Sequence, residues 1–228
     1  MRVLSVDTSS ARGSVCILEG DEVAGEVRLS SSIQHSERLF ASIEFIFRFL
    51  PFKLEDIDLF VAARGPGSFT GLRVGLAATE GFVAAFRREG AGVSTLEGLA
   101  WNVTRRGILI APTIDAGRGE VYGALYRREG QELIEAHAPV VLKPAQWFAS
   151  VPRIPVVFCG DGATRYWDSG NVSPNWEMEK VDLYLARSIA EIALTPGRGP
   201  LQPLYVRKTD AEIARSRTET ESKSTLKK

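Results

Sequence analysis

Apolar residues in the first thirty positions gather into three short runs, Arg2 to Val6, Gly13 to Leu18 and Val23 to Leu29. Glu19-Gly20-Asp21-Glu22 joins the last two and predicts a hairpin, while Asp7-Thr8-Ser9-Ser10-Ala11-Arg12 turns the chain between the first two. The period then lengthens to that of a helix. Ser36 is placed to cap a helix reaching about Leu50, which Pro51 ends. Ile57 to Ala63 reads as a strand, Leu72 to Arg88 as a long helix and Leu96 to Thr104 as a shorter one. At Gly107 the pattern starts over. Gly107 to Ile114 is an apolar run reaching Asp115 as the first run reached Asp7, and Glu120 to Tyr126 with Glu132 to Val141 make a second hairpin. Pro155 to Cys159 reads as a buried strand ending in Gly160-Asp161-Gly162, and Leu183 to Leu194 has helical spacing.

Each half opens with a strand ending in Asp, continues into a hairpin and finishes in helices. That pattern predicts an α/β fold of two lobes, duplicated mixed sheets with flanking helices of the actin, sugar-kinase and Hsp70 type. The expected division is a first lobe over residues 1–104, a smaller second lobe over 105–207 and a polar tail over 208–228. The tail mixes charges with Ser and Thr and has few apolar residues, so disorder is expected beyond about Arg217.

The helices carry more apolar residues than a surface helix needs. Leu39, Phe40, Ile43, Phe45, Ile46, Phe47, Phe49 and Leu50 cover nearly the whole circumference of the first, interrupted by Glu37, Arg38, Glu44 and Arg48. A surface helix has a stripe of roughly 100°, so this one is expected to be covered on two sides. In the second, Gly71, Gly75, Ala78, Gly81 and Ala85 put small residues three and four apart, which lets another helix come close, and Leu72, Leu76, Phe82, Val83 and Phe86 supply bulk. Either both helices are sandwiched inside one fold, or they face another protein.

Composition removes several functions. Lys plus Arg and Asp plus Glu balance at 28 each, so no overall basic field draws in nucleic acid, and RNA contacts would have to come from a partner. Cys16 and Cys159 sit in apolar runs and read as buried thiols, not a disulfide framework. No apolar stretch approaches the roughly 20 residues of a membrane span and the N-terminus lacks a leader's apolar core; the chain reads as cytoplasmic. His35 and His137 have no partner at ligand spacing, no Gly-x-Ser-x-Gly elbow occurs, and neither metal nor cofactor is expected.

Between strand and long helix lies Gly65-Pro66-Gly67-Ser68-Phe69-Thr70-Gly71-Leu72-Arg73-Val74-Gly75. A glycine-rich strand-to-helix turn suits a phosphate, yet Leu72-Arg73 after Gly71 excludes a Walker A motif and Thr70 breaks G-x-G-x-x-G. As a whole string it resembles the signature of the TsaB family of bacterial tRNA threonylcarbamoyladenosine biosynthesis proteins. Val6-Asp7-Thr8-Ser9, Asp115-Ala116-Gly117-Arg118-Gly119-Glu120-Val121-Tyr122, Gly160-Asp161-Gly162 and Pro203-Leu204-Tyr205-Val206-Arg207 agree in type and order, so the resemblance spans about residues 1–207.

The resemblance implies a chain that keeps the actin-like fold without its chemistry. It would bind and activate the transferase TsaD in making N6-threonylcarbamoyladenosine at position 37 of tRNAs reading ANN codons. TsaE joins the larger complex, and a homodimer is an option for the chain alone. The partner-binding residues it implies are Leu39, Ile43, Ile46, Phe47, Leu72, Gly75, Ala78, Thr79, Phe82 and Phe86. Asp7, Thr8, Asp115, Gly160, Asp161 and Gly162 would line a vestigial nucleotide cleft. The family usually has Arg where this chain has Gly117, so no role is carried over to that turn. TsaD's paired-His metal motif is absent, since Leu39 follows His35 at one helical turn. The rival reading is a small-molecule kinase using Asp7, Asp115 and the Gly160 to Gly162 loop around Mg-ATP.

Overall fold

The computed structural model describes residues 1–30, 35–130, 132–169, 171–196 and 198–207. The expectation of a disordered tail lies outside the described residues. β1 (Arg2–Asp7), β2 (Arg12–Glu19), β3 (Glu22–Ser30), β4 (Leu59–Gly65) and β5 (Glu89–Ser94) form one sheet in the order β3-β2-β1-β4-β5. β6 (Leu109–Gly117), β7 (Glu120–Glu129), β8 (Glu132–Leu142), β9 (Val156–Cys159) and β10 (Trp176–Met178) form the other, in the corresponding order β8-β7-β6-β9-β10. In each, the first three strands are antiparallel neighbours and the last two run parallel to the first.

The helices repeat as well. α1 (His35–Phe47), α2 (Phe69–Phe86) and α3 (Thr95–Trp101) follow the third, fourth and fifth strands of the first sheet. α4 (Pro144–Ser150), α5 (Asp161–Tyr166) and α6 (Ala186–Ala193) hold the same places in the second. Five layers result. α1 and α2 cover one face of the first sheet, α3 and α6 lie between the sheets, and α4 and α5 cover the far face of the second. Period-2 alternation builds this directly: on β1, Leu4 and Val6 point under α1 and α2, while Val3 joins the central layer. Cys16 and Cys159 are free thiols in that layer, and burial pushes both up, Cys16 to about 12.

Two features were hidden in the sequence. β5 is Glu-Gly-Ala-Gly-Val-Ser, with little strand propensity, because the chain near its end lies against it. Gly92 and Gly199 exchange backbone hydrogen bonds of 3.0 and 3.2 Å, and a Cβ on Gly92 would run into the Pro200 carbonyl. The second feature is that the last part of residues 105–207 returns to the first sheet. The Ser5 hydroxyl donates to Ala186 O at 2.5 Å, and the Ala186 N–H donates to Ser14 Oγ at 3.0 Å, tying the start of α6 to β1 and β2.

The chain then straps both lobes. Leu204 N–H donates to Arg64 O at 2.7 Å, Arg73 Nε donates to the Tyr205 hydroxyl at 3.2 Å, and Arg207 reaches Ala116 O and Glu120 across the gap.

Candidate functional site

The glycine-rich turn seats the start of α2 on the β1–β2 turn. Gly65 has φ 109° and precedes a cis bond to Pro66; Ser68 caps α2, its Oγ accepting the Gly71 N–H at 3.2 Å. A Cβ on Gly67 would stand 2.5 Å from Ser9 O; on Gly71 it would strike the Thr8 carbonyl, and on Gly75 the Thr8 hydroxyl. With the Cβ atoms absent, Ser68 N–H donates to Ser9 O and the Thr8 hydroxyl to Gly71 O, both at 2.7 Å. The row of small residues therefore serves two surfaces. Gly71 and Gly75 fit this internal contact, while Gly81 and Ala85, with Ala77 and Ala84, face outward.

The expected nucleotide residues divide between two narrow spaces: Asp7 and Thr8 line one beside Arg38 and Leu39 of α1, and Asp161, bonded to Asp115, lines another between the lobes. Asp7 is buried; its Oδ1 accepts the Ser9 N–H at 2.8 Å, and Oδ2 makes no well-formed hydrogen bond. Burial raises its carboxyl above the ordinary range, against the hydroxyl and N–H of Ser9 and the Leu185 backbone, which favour the charge. Because the folded carboxyl holds its proton to higher pH than the unfolded one, stability from this group is full below the ordinary value of 3.8 and is lost as pH rises through the folded value. Asp7→Asn, which keeps an oxygen for Ser9, is thus expected to melt above the parent at neutral pH. Melts repeated on acidification towards the ordinary carboxyl value should show that advantage vanish.

Asp115 Oδ1 accepts the Gly117 N–H at 3.0 Å, and Oδ2 takes Arg165 at 2.5 Å. Asp161 accepts the Asp115 N–H at 3.1 Å and lies 3.6 Å from Arg12 of the first lobe. Gly160 and Gly162 let α5 press on the end of β6, since a Cβ on Gly162 would stand 2.6 Å from the Ile114 carbonyl carbon. About 40 Å³ remains here between Ser9, Arg12, Pro66, Asp161 and Leu185, against roughly 300–1,000 Å³ for ligand pockets. Among the described residues no three His, Cys, Asp or Glu side chains are grouped as metal ligands, and no helix is long and apolar enough to cross a membrane.

The apolar residues of the two helices face two ways. Leu39, Ile43 and Ile46 are buried on the first sheet, and so are Leu72, Gly75 and Thr79, while Phe47, Ala78, Phe82 and Phe86 are half-buried against the same core. Their packing is internal. α1 is covered on one side, not two, and its other side exposes Phe40 (52%), Phe45 (54%) and Phe49 beyond its end (74%). Phe45 and Phe49 meet edge-on at 5.3 Å, and Phe40 reaches Phe82 of α2 at 6.2 Å. The signal was in the sequence, because Glu37, Glu44 and Arg48 mark the outer face and these three rings flank them.

Residues 24–162 match the family model TsaD, described as tRNA N6-adenosine threonylcarbamoyltransferase. The tRNA threonylcarbamoyladenosine biosynthesis protein TsaB of Bacillus subtilis (strain 168) is 30% identical over 162 residues, 70% of this chain and 71% of that one. The chain is a TsaB-like member of the TsaD family. TsaB of Escherichia coli (strain K12) is 32% identical over 147 residues, 63% of each chain. YeaZ from Pseudomonas aeruginosa superposes with a TM-score of 0.77 at 25% identity, over 90% of this chain and 99% of that one. The duplicated sheets of the TsaB-like chain are accordingly those of the two-lobed, actin-like fold.

Proposed function

We propose that this chain acts in the cytoplasm in forming N6-threonylcarbamoyladenosine at position 37 of tRNAs reading ANN codons, as a non-catalytic scaffold that binds and activates TsaD. The observation that carries this reading is the exposed aromatic row of α1 beside the exposed small residues of α2. Such a face on a globular chain marks a protein contact. The names of its relatives support the pathway, and the narrow, ion-paired cleft favours a supporting role over phosphoryl transfer. TsaD supplies metal, threonylcarbamoyl-adenylate binding and catalysis; TsaE joins the complex, and TsaC makes the adenylate. The tRNA is held mainly by partners, in keeping with the balanced charge of 28 against 28. Without TsaD, the same face takes a second copy of the chain.

Reconstitution tests the role. TsaC, TsaD, TsaE and unmodified tRNA are expected to form the modified nucleoside only when this chain is added, and Asp7→Asn is expected to serve as well as the parent. Modification at full rate without the chain would remove the role. Rapid phosphoryl transfer by the isolated chain, lost in Asp7→Asn, would replace it with the kinase.

A further inference from the structure

Beneath the strap formed by residues 203–207 lies a cavity of about 490 Å³, within the range of small-molecule sites and larger than the narrow cleft. The first lobe contributes Phe69 at the start of α2, the second contributes Arg118 and Tyr122, and the strap contributes Tyr205 and Arg207. Among the described residues its walls therefore carry three aromatic rings and two guanidiniums, and no carboxylate.

The wall is held in place. Phe69 and Tyr205 pack with ring centres 5.6 Å apart, and Arg73 lies 3.8 Å over Phe69 while bonding the Tyr205 hydroxyl. Arg207 is fixed by Ala116 O at 3.1 Å and by Glu120 at 2.6 Å, and lies 5.6 Å from the Tyr122 ring centre. Arg118 is placed by a hairpin turn. Gly117, Arg118 and Gly119 have φ of 66°, 55° and 73°, three left-handed residues in succession. Arg118 and Gly119 are the two residues of the β6–β7 hairpin turn, which calls for positive φ at both, so the turn itself sets Arg118 at the edge of the cavity.

We propose that this cavity binds a small organic anion: a flat, apolar body carrying a carboxylate or phosphate. The body lies against Phe69, Tyr122 and Tyr205, and the anion lies at Arg118 and Arg207, whose planar forks suit either group. This inference does not depend on the scaffold role.

The test uses the full chain and 1-anilinonaphthalene-8-sulfonate, a flat body with one anionic group that fluoresces on leaving water. One saturable site is expected, weakened tenfold or more in Arg118→Gly, a substitution that suits the left-handed backbone, and also in Tyr205→Ala. Displacement by phenyl phosphate or by benzoate tells which anion is preferred, and displacement by either upholds the class. Dye binding unchanged in both variants, or abolished instead by Phe45→Ser with Phe49→Ser, would overturn the site. Failure of both competitors would overturn the anion.

Discussion

Phe45→Ser together with Phe49→Ser is expected to weaken binding to TsaD by about a thousandfold while the chain melts where the parent does. Both rings are more than half exposed and meet each other edge-on, so their loss removes little from the folded monomer. At a partner surface, aromatic anchors contribute about 2 kcal/mol or more apiece, and about 4 kcal/mol is roughly three decades of affinity. Calorimetric titration against TsaD, with melting curves beside it, gives both readouts. Unchanged affinity in a folded double variant would take the partner off this face. Ile43→Glu makes a poor substitute for this experiment: Ile43 is buried on the sheet, and a charge there is expected to unfold the first lobe before any partner is tested.

Gly71→Val is expected to destabilise the chain by about 3 kcal/mol or more. Its Cβ would collide with the Thr8 carbonyl, and a backbone group at the end of a sheet strand cannot swing aside as a flexible side chain can. Gly81→Ala, on the same helix, is the control. Nothing lies within contact of its new Cβ, so helix propensity alone acts, and a gain of up to about 1 kcal/mol is expected. Denaturant melts decide between collision and propensity. Equal, small effects at the two positions would mean that α2 does not rest on the β1–β2 turn as closely as its hydrogen bonds indicate.

Local pattern was enough to place most of the architecture. Apolar runs and their turns marked β1 to β4 and β6 to β9, and the restart at Gly107 disclosed the duplication, because hydrophobic period and turn chemistry act within a few residues. The long string from Gly65 to Gly75 was specific enough to reveal kinship, yet its glycines did not say what they accommodate. That depended on Thr8 and Ser9, some sixty residues away, meeting α2 face to face.

Several things were decided only by tertiary contact. β5 is a strand because β4 and the Gly199 segment border it, against its own propensity. α6 belongs to the first sheet because Ser5 and Ser14 hold its start. On α1, a helix apolar nearly all round, the sequence listed enough hydrophobic residues for two covered sides. The single sheet beneath chose Leu39, Ile43 and Ile46 and left Phe40, Phe45 and Phe49 in water, since a helix lying on one sheet can bury only one side. The same holds for the spaces between the lobes. Residue types named groups that could line a cleft, but its width, and the existence of the cavity under the strap, were set by how the lobes and the strap settle, which no local pattern encodes.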